Sequence, residues 1–186
     1  MTGNLPNVLT LSRIAASVVV CLLLMLETFW GSWLALAAFL FACVTDFLDG
    51  YLARAWRQQS SFGRFLDPIA DKLLVGATLL FLAFDGTIRG WSMWAAFIIL
   101  CREILVSGLR EYLAELHVSV PVSRLAKWKT VLQNVAVGFL VAGPAGDQVL
   151  PGATWTGISL LWIAAVLTLY TGFDYFRAGV RHFVDE

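Results

Sequence analysis

Four aspartates within residues 46–71 carry the strongest chemical signal in this chain. They lie in Asp46-Phe-Leu-Asp49-Gly50-Tyr-Leu-Ala53-Arg54 and, eight residues on, Gly63-Arg-Phe-Leu-Asp67-Pro-Ile-Ala-Asp71. Positions 46, 49, 50, 53 and 54 recur at i, i+3, i+4, i+7 and i+8, so they share one stripe of a helix; Gly63, Asp67 and Asp71 do the same at four-residue steps on the next. An antiparallel hairpin turning near Gln58 sets Asp46 level with Asp71 and Asp49 level with Asp67. Carboxylates gathered without His or Cys form an oxygen-only donor set, which hard cations such as Mg²⁺ or Mn²⁺ select. Two divalent ions would balance the four charges.

The elements that must position these acids are apolar. The chain has 186 residues, 59% of them hydrophobic and 14% charged, with a mean hydropathy of +0.77. A soluble domain carries about a quarter charged residues, so a cytosolic enzyme and a disordered chain are both excluded. Thirteen basic residues against thirteen acidic ones exclude a polybasic nucleic-acid binder, and no nucleic-acid partner is expected. Six apolar stretches, at 8–28, 32–56, 64–84, 91–114, 124–143 and 153–176, each suit a span of about 20 residues. All six read as helices, because open strands cannot satisfy their backbone groups in lipid. The expected fold is therefore all-α: a polytopic integral membrane protein with six transmembrane helices and one domain over residues 1–186. The first apolar run has no basic segment before it and reads as a retained helix. Six passes put both termini on one side. Basic residues such as Arg13, Arg54, Arg110, Lys127 and Arg177 fall near that side and only Arg89 on the other, which places both termini in the cytoplasm. Trp30, Trp33, Trp91 and Trp94 read as interfacial anchors. Cys21, Cys43 and Cys101, with no CxxC pair, read as packing residues. His117 and His182 have no metal-like neighbours.

An Asp at the centre of a bilayer helix costs roughly 2.5–3.5 kcal/mol, so four cost on the order of 10 kcal/mol before their mutual repulsion. Arg54 and Lys72 could neutralise two of them. A hairpin stiffened only by salt bridges, however, leaves Gly50, Ala53 and Gly63 on the same stripes unexplained, where small residues admit a ligand or another backbone. A cation or proton transporter is the other reading of intramembrane acids. It calls for broken helices in both halves of the chain, whereas these acids belong to one hairpin near one face.

The pattern Asp-x2-Asp-Gly-x2-Ala-Arg-x8-Gly-x3-Asp-x3-Asp resembles the signature of the CDP-alcohol phosphatidyltransferases, and all eight positions match. The resemblance implies six transmembrane helices, commonly a homodimer, and a dinuclear metal site in which Asp46, Asp49, Asp67 and Asp71 hold two divalent cations, Mg²⁺ or Mn²⁺, against the pyrophosphate of a CDP-linked lipid. It also implies that Gly50, Ala53, Arg54 and Gly63 accommodate the nucleotide and that Asp71 is the candidate general base. Leu5-Pro6-Asn7-Val8-Leu9-Thr10-Leu11-Ser12-Arg13, Arg102-Glu103-Ile104, Ser107-Gly108-Leu109-Arg110-Glu111 and Lys127-Trp128-Lys129-Thr130 are similar to bacterial members that use a glycerol phosphate. The implied reaction joins CDP-diacylglycerol to sn-glycerol 3-phosphate, giving phosphatidylglycerophosphate and CMP for phospholipid synthesis. It would run at the bacterial inner (cytoplasmic) membrane, with the active site facing the cytoplasm. Siblings of the family with another acceptor (inositol phosphate, serine or phosphatidylglycerol) are the alternative.

The acceptor's phosphate needs cations beside the acids. Arg110 and Lys127 are the first candidates, with Arg102 and Thr130 near them. Glu103, Ser107 and Arg110 share a stripe that offers Arg110 an orienting partner, and Lys127 and Thr130 share another. Arg102, near mid-span, either binds phosphate or pairs with Glu103 or Glu111. Thr10 and Arg13 either touch the nucleotide phosphates or cap and anchor the first helix. Arg124 and Lys129 divide between phosphate binding and a topology signal against anionic headgroups.

Overall fold

The computed structural model describes the backbone of residues 5–56, 61–116 and 124–184, and the side chains within them except at 5–7, 9, 47–56, 61–65, 115, 124, 174 and 177–184. Six helices follow in order: α1 (Leu5–Leu24), α2 (Phe29–Trp56), α3 (Ser61–Phe84), α4 (Ser92–Glu115), α5 (Arg124–Val149) and α6 (Ala153–Val184). No strand occurs among the described residues. Each apolar stretch of the sequence is one helix, and the chain is an all-α membrane protein. Histidines 117 and 182 lie outside the described side chains.

The helices differ in how they meet lipid. α2, α4 and α6 contain the windows Phe29–Asp46, Ser92–Ala114 and Ala153–Phe173, which are long and apolar enough to cross a membrane. α1, α3 and α5 are interrupted by polar side chains that face inward: Thr10, Arg13 and Ser17 on α1, Thr78 on α3, Lys129 and Gln133 on α5 are all buried. The outer surface is apolar, with Trp91 82% and Phe84 80% exposed, because in lipid the exterior of a bundle needs no polar coat. Hydroxyls inside the bundle bond to their own helix: Ser17 donates to the Ile14 carbonyl at 2.7 Å, Thr45 to Ala42 at 2.9 Å and Thr78 to Leu74 at 2.7 Å. Satisfied locally, they can be buried without a partner on a neighbouring helix.

α2 and α3 follow one another in the chain but have little direct contact, and α1 packs extensively against both. The stripe Thr10, Arg13, Ser17, Val20 and Leu24 of α1 is buried, so α1 is the wedge that joins the two acid-bearing helices. On the other side of the bundle α5 and α6 form the most extensive pair, and α6 also packs on α4. A Cβ on Gly157 of α6 would lie 2.9 Å from Leu140 of α5, which shows how closely these helices approach.

α5 runs past residue 143, further than its apolar stretch, because a short helical piece follows a break. Gly143 stands at φ 47, ψ −134 directly before Pro144. Pro144 bars the helical conformation to its predecessor, and only glycine adopts this one without strain. The break is near the end of one helix and has no mid-membrane counterpart among the described residues. Past it, outside the span, Asp147 accepts the Thr154 N–H at 2.9 Å and the Thr154 hydroxyl at 2.6 Å. These bonds at the start of α6 hold the Asp147 carboxyl below its ordinary range.

Candidate active site

Asp46 closes the apolar window of α2, and Asp67 and Asp71 sit one turn apart on α3. Between them stands Arg13 of α1, 1% exposed. One end of its guanidinium pairs with Asp46, and the other reaches Asp67 at 3.3 Å. Thr10, one turn earlier on α1, donates its hydroxyl to the same Asp67 oxygen at 2.6 Å. The two carboxylates are themselves half-exposed, so they remain open to a ligand on their far side. Thr10 and Arg13 are both bonded to the acids, tying α1 to α2 and α3.

A cavity of about 480 Å³ opens on these acids. Asp46, Asp67, Asp71 and Lys72 line it from α2 and α3; Arg102, Glu103, Ser107 and Arg110 face them from α4, and Lys129 and Thr130 from α5. Three aspartates thus line one side with Lys72, and Arg102, Arg110 and Lys129 line the other with Glu103 and Glu111, a mixed set able to meet a metal-bound pyrophosphate and a second phosphate. Lys72 donates to the Pro68 carbonyl at 2.7 Å and is not seen bonded to an aspartate. Among the described residues the cation in ion-pair contact with Asp46 and Asp67 is Arg13; Lys72 lines the same cavity, and the Arg54 side chain lies outside the described residues.

Glu103 is the hub of the basic side. It pairs with Lys129 and accepts from Arg102 at 3.2 Å. Arg102 also donates to the Thr171 hydroxyl of α6 at 3.0 Å, and its stem lies against Gly172, where a Cβ would come within 3.1 Å. The expected orienting role of Glu103 toward Arg110 is not seen; its carboxylate serves Lys129 and Arg102. Arg110 lines the cavity from an exposed position.

On α5 the lysine at the cavity wall is not the one the sequence places first. Lys127 is exposed and is not among the cavity-lining residues, whereas Lys129 is 3% exposed and lines the cavity. Thr130 sits at the cavity wall and bonds to its own helix at Ala126, 3.2 Å away. Gln133, one turn beyond Lys129, was not singled out from sequence and is also buried. The signal that could have found both is their four-residue spacing, Lys129 to Gln133, in an otherwise apolar helix. Asp49, Gly50, Ala53, Arg54 and Gly63 lie on the helical backbone of α2 and α3, but their side chains are outside the described residues.

The donors suit a hard divalent cation in kind: Asp46, Asp67 and Asp71 offer carboxylate oxygen to one cavity, with no His or Cys among the described residues of its wall. Among the described residues no three acids stand close enough to form an ion-holding group, and Asp49, the fourth acid of the stripe, is not among them.

The chain is an all-α membrane bundle with a cavity lined by both acids and cations. Residues 3–170 match the family model of the CDP-alcohol phosphatidyltransferases, and the chain belongs to that family. Three relatives bear the name CDP-diacylglycerol--glycerol-3-phosphate 3-phosphatidyltransferase. The one from Rickettsia bellii is 46% identical, covering 97% of this chain and 97% of its own. Those from Cereibacter sphaeroides and Escherichia coli K12 are 39% and 38% identical over the full length of both chains.

Proposed function

We propose that the chain transfers the phosphatidyl group of CDP-diacylglycerol to sn-glycerol 3-phosphate, giving phosphatidylglycerophosphate and CMP. The observation that carries this reading is the cavity in which Asp46, Asp67 and Asp71 face Arg102, Arg110 and Lys129. Full-length relatives named for the same reaction support it. The acceptor hydroxyl attacks the phosphorus that bears the diacylglycerol, a new P–O bond forms, and the P–O bond to CMP breaks with its electron pair leaving on CMP. The hydroxyl proton passes to the carboxylate of Asp71, the general base at the cavity wall. Two divalent cations, Mg²⁺ or Mn²⁺, held by Asp46, Asp49, Asp67 and Asp71, would neutralise the pyrophosphate and polarise it toward attack.

The remaining residues position charge. Lys129 and Arg102, held by Glu103, take the acceptor phosphate together with Arg110, and Thr130 borders it. Lys127, exposed outside the cavity, drops out of this set. Gly50, Ala53, Arg54 and Gly63 accommodate the nucleotide, and Arg13 and Thr10 hold the acids for it. The chain acts as one membrane domain over residues 1–186, in a homodimer in a bacterial cytoplasmic membrane. Both termini and the cavity face the cytoplasm, surrounded by membrane lipid.

CMP release from CDP-diacylglycerol by the detergent-purified protein tests this reading, with a panel of acceptor alcohols and with or without Mg²⁺. Release that requires both Mg²⁺ and sn-glycerol 3-phosphate is expected. Release with an unphosphorylated alcohol instead would reassign the acceptor; no metal-dependent release with any alcohol would remove the enzyme reading altogether.

A further inference from the structure

A second cavity, of about 500 Å³, lies between α3, α4 and α5 beside the first and shares Asp71, Lys72, Glu103, Lys129 and Thr130 with it. The rest of its wall is mostly apolar, with Leu73, Val75, Leu80 and Leu100, and Asn134 also borders it. One polar side chain there has no evident reason to exist. Gln133 is 3% exposed, lines this cavity, and its Oε1 has no hydrogen-bond partner. A buried amide oxygen left unmade is costly, and more so among apolar side chains inside a bilayer. Packing alone would be served by Leu or Met of similar volume. The cost is recovered only when a donor enters the cavity.

The chemistry of that donor can be narrowed. A phosphate or carboxylate would be repelled by an amide oxygen, and the diacylglycerol part of a CDP-lipid carries no donor. A hydroxyl supplies the proton that this amide oxygen lacks. Gln133 follows Lys129 by four residues, one helical turn or about 6 Å along α5 at 1.5 Å per residue. A small alcohol whose phosphate rests on Lys129 therefore brings its hydroxyls to the level of Gln133, in the cavity that also holds Asp71.

We infer that Gln133 is a specificity-determining residue, whose amide accepts a hydrogen bond from the hydroxyl of the acceptor alcohol that does not react. This rests on the glycerol-phosphate reading above. sn-Glycerol 3-phosphate has two hydroxyls, one attacking the lipid phosphorus and the other, at C2, left for Gln133. A site built around such a bond rejects an analogue that lacks the hydroxyl, because its own buried group is then unpaired.

The test compares sn-glycerol 3-phosphate with 3-hydroxypropyl phosphate, which has the attacking hydroxyl and the phosphate but nothing at C2, as acceptors in the CMP-release assay. Wild type should prefer the glycerol compound in kcat/KM by about 10–100-fold, the cost of leaving one buried acceptor unpaired. In Gln133→Met the preference should fall to within about threefold, chiefly by loss with the glycerol compound, while the KM for CDP-diacylglycerol stays unchanged. An unaltered preference in Gln133→Met overturns the assignment. So does a raised KM for CDP-diacylglycerol with the preference intact, which would transfer the bond to a ribose hydroxyl of the nucleotide. Equal use of both acceptors by wild type overturns it without any variant. Wild type that uses neither acceptor but turns over another alcohol removes the glycerol-phosphate reading itself, and the inference with it.

Discussion

Arg13 of α1 and Asp46 of α2 form an ion pair whose cation is fully buried and whose carboxylate is half-exposed. Arg13 extends the same guanidinium to Asp67 of α3, so one side chain joins three helices at the acid site. It also lowers the local excess of negative charge, and the half-exposed carboxylates remain accessible to a divalent cation.

Replacing Arg13 should therefore destabilise the bundle. Because the two acids are only half-buried, the loss in Arg13→Gln should be about 1–3 kcal/mol, below that of a fully buried pair. Thermal unfolding of the purified protein reads it, and added Mg²⁺ should recover part of the lost Tm by replacing the missing positive charge. In Arg13→Gln/Asp46→Asn the loss should be smaller than the sum of the single changes. Additive losses would mean that the pair carries no coupling.

Asp71→Asn should lower kcat by about 10²–10⁴-fold, the usual contribution of a general base, with the KM for the acceptor nearly unchanged. Bound Mn²⁺, measured by electron paramagnetic resonance, separates a lost base from a lost metal ligand. Near-normal turnover with intact Mn²⁺ occupancy would take the proton-transfer role away from Asp71.

Lys127 and Lys129 should behave oppositely although two residues apart. Lys129→Met removes a buried ammonium that faces the cavity and should lower kcat/KM for glycerol phosphate by about 100-fold or more. Lys127→Met, exposed outside the cavity, should stay within about twofold of wild type, as surface charges contribute little. Glu103→Gln should raise the acceptor KM while sparing the KM for CDP-diacylglycerol, since Glu103 works through Lys129 and Arg102. Equal effects at the two lysines would contradict the orientation of α5.

Asp147 offers a stability test away from the site. Its carboxyl is held below the ordinary range by the bonds from Thr154, so the folded state favours the ionised form. That contribution is present above the unfolded-state value and is lost as pH falls through the lower folded-state one. Asp147→Asn should have a lower Tm than wild type at neutral pH. The gap should close below about pH 4, where the unfolded carboxyl protonates first; a gap independent of pH would assign it to packing.

At the α5–α6 crossing, Gly157→Val should cost about 1–3 kcal/mol by overpacking, because even a Cβ at 157 meets Leu140 at 2.9 Å. Unfolding temperature measures this, and an unchanged Tm would show that the crossing can widen without penalty.

Much of this molecule follows from local sequence alone. The apolar runs fix six helices and a membrane setting, because a bilayer accepts no other open backbone, and the spacing of Asp46, Asp49, Asp67 and Asp71 fixes the acids on two helix stripes. The stripes alone describe α2 and α3 as an antiparallel hairpin. Only the tertiary structure inserts α1 between them and gives Asp46 and Asp67 to Arg13, since pairing between helices is not encoded in the spacing along either one. The lysines of α5 show the physical limit most plainly. Residues 127 and 129 are about 200° apart around a helix of 3.6 residues per turn, so sequence says that they face different ways but not which way is inward. In a soluble protein the polar face would point to water. In a helix apolar on both sides, lipid and bundle interior look alike, and it was the packing of α5 against α6 and the Glu103 carboxylate on α4 that turned Lys129 and Gln133 toward the cavity.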